Sequence, residues 1–379
     1  MMILSLFPAD LKQFLSEVES SGARLCLVGG GSRDFLREGT LSNDLDFEVR
    51  GVEISALKSF FKKRGLTYTE LPYDIVRLDF KGFDLEFSSP RLENPLTGNK
   101  THHHFEVVLD KELSYDRAFA RRDFTLNAIG IEFHFTKDEA RVVDPYNGVR
   151  DLEEKTLREI SDYFFLDSVR FLRLVRFQVK YNFNISDSIK NQMGLFDLSE
   201  LSIHHFKSEM KKSKNAGAFI NEFSKLVRDY QLPVKDVYKI WKNIHFSSDL
   251  ETIEDLLVSV FLKRPEAAKE VAAFFSLPDK TLKDLTSFYN SYHAVLKLKK
   301  EDLIPLCQSE MDAPEVMVVL RDLKNLEDKK EWRKYFPSHL IISWDDWADE
   351  CVDAELIQVT PAPLRSYLRF YQTMKRVIQ

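Results

Sequence analysis

Arg24-Leu25-Cys26-Leu27-Val28-Gly29-Gly30-Gly31-Ser32-Arg33-Asp34-Phe35-Leu36-Arg37 reads as a short buried strand at 24–28, a glycine turn and the opening of a helix. Residues without Cβ let backbone N–H groups approach an anion, and the following helix N-terminus adds partial positive charge. The turn has neither the GxGxxG spacing of a dinucleotide fold nor the Gly-Lys-Ser/Thr ending of a P-loop, so by itself it is equally a tight connection. Support comes from Asp44-Leu45-Asp46, on a predicted strand whose period of two puts both carboxylates on one face. Such a pair repels itself, and a divalent ion removes the repulsion; Mg²⁺ binds through one or two carboxylates plus substrate phosphates. Glu86, in Phe83-Asp84-Leu85-Glu86-Phe87, is placed to add a third carboxylate from a neighbouring strand, a set suited to two-metal phosphoryl or nucleotidyl transfer. Taken alone, the pair also fits two solvated strand aspartates.

Outward from this stretch, Leu11, Phe14, Leu15 and Val18 recur at helical spacing before the strand, and further strands are predicted at 45–49, 75–80 and 83–87. From about Phe164 the helical period dominates and breakers such as Leu232-Pro233, Leu277-Pro278-Asp279 and Pro361-Ala362-Pro363 are sparse. The turn-rich Asp144-Pro145-Tyr146-Asn147-Gly148 is the natural boundary, with a softer one near 213–217. The length, 379 residues, allows two or three domains. With 44% hydrophobic and 30% charged residues, and no run of about 18 apolar ones, membrane-spanning and low-complexity classes are excluded. The 54 basic and 60 acidic residues leave a net charge of −6, so any nucleic-acid site is a local patch. Cys26, Cys307 and Cys351 are far apart and form no CxxC pair, which fits a reducing cytoplasm better than a disulfide framework.

A third constellation is Arg121-Arg122-Asp123-Phe124-Thr125-Leu126-Asn127-Ala128. Arginines fork onto phosphate oxygens and a carboxylate accepts from ribose hydroxyls, so the group is able to hold a nucleoside triphosphate at both ends; a helix start with local ion pairs is the plainer alternative.

The ordered series Val28–Asp34, Asp44–Asp46, Arg121–Ala128, Asp144-Pro145-Tyr146-Asn147-Gly148-Val149-Arg150-Asp151-Leu152 and Asp167-Ser168-Val169-Arg170-Phe171-Leu172-Arg173-Leu174-Val175-Arg176-Phe177 resembles the class II tRNA nucleotidyltransferase and bacterial poly(A) polymerase family. The resemblance covers roughly the first 210 residues and includes Ser89-Pro90-Arg91-Leu92-Glu93 with Thr97-Gly98 beyond it. It implies an α+β chain: a nucleotidyltransferase head of polymerase-beta-like mixed-sheet type over 1–150, then an all-α neck over 151–215 that binds the base and RNA, then a helical body and tail over 216–379 that bind tRNA. It implies that Asp44 and Asp46 hold catalytic Mg²⁺, two ions in all, with Glu86 beside them. Gly29, Gly30, Gly31, Ser32 and Arg33 would cradle the triphosphate, and Arg122, Asp123 and Asn127 would contact the incoming nucleotide. Asp167 and Arg170 would read the base of CTP or ATP, with Arg173 and Arg176 along the same helix. The acceptor implied is the tRNA 3′ end, with no membrane and no obligatory protein partner.

Two positions depart from the family pattern. Leu166 stands where the family has a glutamate that orients the arginine, so either Asp162 or another acid compensates, or base selection differs. His204-His205 stands where relatives show Glu-Arg in a neck-stabilising motif, which implies altered local packing. His102-His103-His104 reads as a polar loop rather than a metal site, since three adjacent residues cannot all face one ion. In the family it belongs to a flexible loop that reshapes the nucleotide pocket. Basic clusters at Arg170, Arg173, Arg176 and Lys180, at Lys207, Lys211, Lys212 and Lys214, and at Arg365, Arg369, Lys375 and Arg376 are candidates for phosphate contacts and, singly, for solvated helix faces. The activity so implied is addition of CMP and AMP to tRNA 3′ ends. Alternatives are an A-adding enzyme or poly(A) polymerase of the same chemistry and, from another class, a non-catalytic RNA-binding protein.

Overall fold

The computed structural model describes residues 2–95, 105–242, 244–246 and 250–283. The strands are β1 (Arg24–Val28), β2 (Asp44–Arg50), β3 (Thr69–Leu71), β4 (Ile75–Phe80), β5 (Phe83–Ser88), β6 (Arg91–Pro95), β7 (Phe105–Leu109), β8 (Gly130–His134), β9 (Glu139–Val143), β10 (Thr156–Leu157) and β11 (Asn184–Ile185). The helices are α1 (Ala9–Ser20), α2 (Gly30–Glu38), α3 (Ile54–Lys63), α4 (Tyr115–Phe119), α5 (Gly148–Glu153), α6 (Ser168–Tyr181), α7 (Asp187–Gln192), α8 (Ile203–Ser213), α9 (Ala216–Asp229), α10 (Ile253–Lys263) and α11 (Pro265–Phe275). Residues 1–209 with 226–235 make one compact unit, and residues 210–225 with the described residues from 236 onward make a second.

The first unit is built on a seven-stranded mixed sheet in the order β3-β4-β5-β2-β1-β8-β9. Its central strand, β2, runs parallel to β5 and antiparallel to β1, which is also antiparallel to β8. Alternation along the strands buries Leu25, Leu27, Leu45, Phe47, Val49, Leu85, Phe87, Ile131 and Phe133 in one cluster. Against that face lie the predicted stripe of α1 (Leu11, Phe14, Leu15, Val18) and Ile54, Leu57 and Phe61 of α3. Cys26 and Val28 point the other way, into a smaller cluster with Leu113, Ala118, Phe119 and Ala128. The fold is α+β with a mixed-sheet head, as expected.

The turn before α5 shows why its residues are what they are. Asp144 accepts from the N–H groups of Gly148 (2.6 Å) and Val149 (3.0 Å), and Asn147 takes a left-handed φ of 57°. A Cβ at Gly148 would meet the Thr125 carbonyl oxygen at 2.1 Å, so only glycine fits. Asp151 of α5 then receives Thr125 Oγ1 at 2.6 Å and Arg158 Nε at 3.1 Å, tying this turn to the Arg121–Ala128 segment.

Beyond Phe164 the first unit is helical apart from β11, two residues that pair in parallel with β10. α6 buries Phe171, Leu172, Leu174, Val175 and Phe177, and Phe196 packs on Phe164, Phe165 and Phe171 at centroid distances of 5.2–5.5 Å. Within the second unit Trp241 packs on Phe246, Phe274 and Phe275, and a capping box between Thr252 and Asp255 starts α10. The His102–His104 loop, Thr97-Gly98, Cys307, Cys351, Pro361–Pro363 and the Arg365–Arg376 cluster lie outside the described residues, as does any helix beyond 283.

Candidate nucleotidyltransferase site

Asp44 and Asp46 open β2, and the β2–β5 register sets Asp44 opposite Asp84 and Asp46 opposite Glu86. Glu86 therefore stands beside the aspartate pair, as its sequence position suggested. Burial raises the Asp46 carboxyl, and the charges of Asp44 and Glu86 raise it further, to about 6, against a partial opposing effect from Arg122. Burial likewise raises Glu86, with Arg77 opposing. Converging anionic oxygens that disfavour one another are the donor set a hard divalent cation relieves. Among the described residues no group of three or more His, Cys, Asp or Glu side chains is arranged as a self-sufficient metal site. A pair of carboxylates completed by substrate phosphates is thus the arrangement the residues fit.

The glycine turn meets this pair directly. Gly29, the N-cap of α2, has φ 72° and ψ −127°, a conformation open to glycine, and a Cβ there would lie 3.5 Å from both Asp46 Oδ2 and Arg122 Nη1. Backbone, carboxylate and guanidinium therefore converge at one point. Gly31 is needed for packing, since its Cβ would press on Leu27 Cδ1 at 3.1 Å. At Gly30 the nearest group would be Arg33 Nη2, at 3.8 Å.

Arg122 is half-buried, and its Nε, itself buried, has no hydrogen-bond partner among the described residues. Burial lowers its pKa, while the charges of Glu48, Asp123 and Asp46 act the other way. Two neighbours share this state: Arg121 Nε and Arg170 Nη1 are also buried without a partner. Burial, Arg122 and Arg91 bring Arg121 down to about 10, with Glu93 the nearest counter-charge at 3.6 Å. Orphaned donors on three adjacent arginines mark a place where anionic or carbonyl oxygens are wanted.

Ser32 and Arg33 do something different from what their place in the turn suggests. Ser32 Oγ donates to the Ile129 carbonyl at 2.6 Å, inside the protein. Arg33, only 7% exposed, forks onto Asp34 through Nε and Nη2 (2.8 Å each), donates from Nη1 to Asn127 Oδ1 (2.7 Å) and from Nη2 to the Tyr181 hydroxyl (3.1 Å). Its guanidinium also stacks over Phe177 and Tyr181. Asn127 Nδ2 donates to Asp123 Oδ1 at 2.9 Å, and Arg173 Nε donates to Asp123 Oδ2 at 2.5 Å. Burial alone would raise Asp123, but the charge and hydrogen bond of Arg173 and the Asn127 bond hold it well below the usual carboxylate range. One chain of bonds thus joins α2, the 125–127 turn and α6.

On α6, Asp167 is the N-cap and accepts from Val169 N at 2.7 Å. Arg170 Nη2 donates to the Arg121 carbonyl at 2.7 Å, with Asp167 Oδ2 3.8 Å from its Nε. Leu166 is 58% exposed, and the support expected from a glutamate there comes from that carbonyl and from Asp167. Arg176 pairs with buried Glu209 at 2.9 Å, so Arg173 and Arg176 face internal acids rather than making a solvated stripe. His204 and His205 begin α8 with ring centroids 5.9 Å apart.

Sequence reasoning missed the bidentate Arg77–Asp84 pair, the buried Glu48–Arg50 pair and the pairing of buried Glu132 with exposed Arg141 on the same sheet face. The signal was available in Asp44-Leu45-Asp46-Phe47-Glu48-Val49-Arg50, where alternation puts Glu48 and Arg50 on the aspartates' face.

Residues 25–158 match the model of the poly A polymerase head domain. A CCA-adding enzyme of Lactobacillus helveticus is 27% identical over 275 residues, 66% of this chain and 63% of that protein. An A-adding tRNA nucleotidyltransferase of Aquifex aeolicus is 31% identical over 216 residues, 55% of this chain and 25% of that one. The chain spans less than two thirds of the length of these curated relatives. Among solved structures, a CCA-adding enzyme in complex with CTP superposes with a TM-score of 0.59 at 19% identity, covering 99% of this chain and 93% of that one. A tRNA-processing enzyme superposes with a TM-score of 0.58 at 22% identity, covering 86% and 92%. Over residues 25–158 the chain is thus similar to the poly A polymerase head domain, and its fold is that of the CCA-adding enzymes.

Proposed function

We propose that this chain is a template-independent nucleotidyltransferase that adds CMP and AMP to tRNA 3′ ends. The observation that carries the reading is the unpaired Arg122 guanidinium meeting Asp46 and the Gly29 backbone at one point, a place with positive charge for a triphosphate beside carboxylates for its metal. The named activities of the relatives and the CTP complex of a structural neighbour agree with it. Asp44 and Asp46 would hold Mg²⁺, two ions in all, with Glu86 alongside. Bound there, Mg²⁺ would supply charge neutralisation for the attacking oxygen and the leaving pyrophosphate. The bond from O3′ of the RNA to the α-phosphorus forms as the bond to the β-phosphate oxygen breaks. The Gly29–Gly31 backbone at the start of α2, together with Arg122, receives the triphosphate. Arg170, with a free Nη1 and a backbone anchor, is assigned to the base together with Asp167. Arg33, Asp123, Asn127 and Arg173 position these groups through the bond chain that joins α2 to α6, and Arg176 does so from Glu209.

In this reading residues 1–150 are the catalytic head, 151–215 the base-selecting neck and 216–379 the tRNA-binding body and tail. Its setting is the cytoplasm; among the described residues no helix is long and apolar enough to cross a membrane. Leu166 favours one second reading, an enzyme that adds only A to CC-ended acceptors. Extension of labelled tRNAs ending before CCA, after C and after CC, with Mg²⁺ and CTP, ATP or both, separates the two. Completion of CCA and arrest there is expected. Addition of A to the CC-ended tRNA alone selects the second reading, and no incorporation on any acceptor contradicts both.

A further inference from the structure

The carboxylate patch at the outer end of the sheet has a cation built into it. β4 pairs with β5 and β5 with β2, so the register makes two rows on one face: Arg77–Glu86–Asp46 and Asp79–Asp84–Asp44. The lone cation leaves its own row. Arg77 Nε donates to Asp84 Oδ1 at 2.7 Å, its Nη2 pairs with Asp84 Oδ2, and Nε lies 3.9 Å from Glu86 Oε1. Asp79 is engaged by the turn beside it, its Oδ1 accepting from Gly82 N at 3.3 Å. Of the five carboxylates on β2 and β5, Asp84 alone has both oxygens on a guanidinium.

We propose that Arg77 is a positioning residue that withholds Asp84 from the metal set and limits the number and affinity of divalent ions the patch takes. This rests on the metal reading of Asp44 and Asp46 given above. A carboxylate bound at both oxygens by an arginine fork has few lone pairs left for a cation, and the fork's charge opposes a nearby divalent ion. With the fork removed, Asp84 and Glu86 join Asp44 and Asp46 as oxygen donors. Four carboxylates suit an ion that accepts many oxygens better than Mg²⁺, which keeps waters and prefers one or two carboxylates.

Mn²⁺ binding to the full chain without nucleotide, followed by electron paramagnetic resonance of the free ion, tests the proposal. Arg77→Met is expected to bind Mn²⁺ about fivefold tighter or more than wild type, or to take up an additional ion. Arg77→Met/Asp84→Asn is expected to return to wild-type binding. Unchanged binding in Arg77→Met, with thermal melting showing a folded protein, overturns the proposal. A double variant that binds Mn²⁺ as tightly as Arg77→Met also overturns it, because Asp84 would then not be the donor that the fork withholds. Asp46→Asn is the control for the underlying reading. Should it bind Mn²⁺ like wild type, the metal assignment itself fails; should it lose binding while Arg77→Met has no effect, only the role of Arg77 is lost.

Discussion

Along β2, Leu45, Phe47 and Val49 go to one side of the sheet, and Asp44, Asp46, Glu48 and Arg50 to the other. The first side is closed by α1 and α3 and is apolar throughout, with Phe47 stacked on Phe87 at a centroid distance of 5.7 Å. The second side is graded. At its inner end Glu48 pairs with Arg50 at 2.5 Å and Glu132 with Arg141, so each buried charge has a counter-charge. At its outer end no ion pair within the described residues reaches Asp44 or Asp46, and Arg122 holds an unpartnered donor. The fold thus gains stability by burying apolar area on one face and, on the other, leaves a set of charges unmatched.

The sharpest break between the faces is expected at neighbouring residues. Asp46→Asn should cut incorporation by about 10³-fold or more, since a ligand for transition-state charge is lost, while RNA binding measured by gel shift persists. Phe47→Ala, one residue on, should instead cost about 3–5 kcal/mol of stability in chemical denaturation. Arg33→Met should cost about 1–3 kcal/mol, because Asn127 Oδ1 and the Tyr181 hydroxyl lose their donor inside the protein.

The same contrast has a pH signature. The Asp46 pKa in the fold, about 6, lies above the value near 3.9 of an unfolded chain, so protonation favours the folded state. Its contribution is complete below the unfolded value and is lost as pH rises through about 6. In metal-free buffer Asp46→Asn should therefore melt higher than wild type at pH 7, with the gap narrowing towards pH 5, both read by calorimetry. The smallest effect is expected at Leu166→Glu. Because Arg170 is already anchored on the Arg121 carbonyl, the ratio of C to A incorporation should change by less than about twofold.

Much of this was legible in the sequence. The strand–turn–helix at 24–38 and the one-faced Asp44–Asp46 pair follow from local periodicity, and β1 runs over the residues expected of it. Glu86 needed only the guess that two strands are neighbours, which the parallel β2–β5 register supplies. What sequence could not give depends on contacts between distant segments. Arg33 was placed in the phosphate cradle, but its side-chain direction is set by Asn127 and Tyr181, 94 and 148 residues away. The buried partners of Arg173 and Arg176, Asp123 and Glu209, likewise turn a helical basic stripe into internal pairs. The exposed position of Leu166 and the carbonyl that replaces its expected glutamate are visible only once α6 lies against the Arg121 backbone.

The central claim is that the unmatched charge at the outer end of the polar face receives the nucleotide, while the matched arginine at the other side of the same turn only holds the structure. Equilibrium binding of CTP and ATP to Arg122→Met and Arg33→Met, each compared with wild type at a temperature where all three are folded, tests it most directly. Arg122→Met is expected to weaken binding by about tenfold or more, and Arg33→Met by less than about threefold. Wild-type affinity in Arg122→Met, or an equal loss in Arg33→Met, would contradict the account.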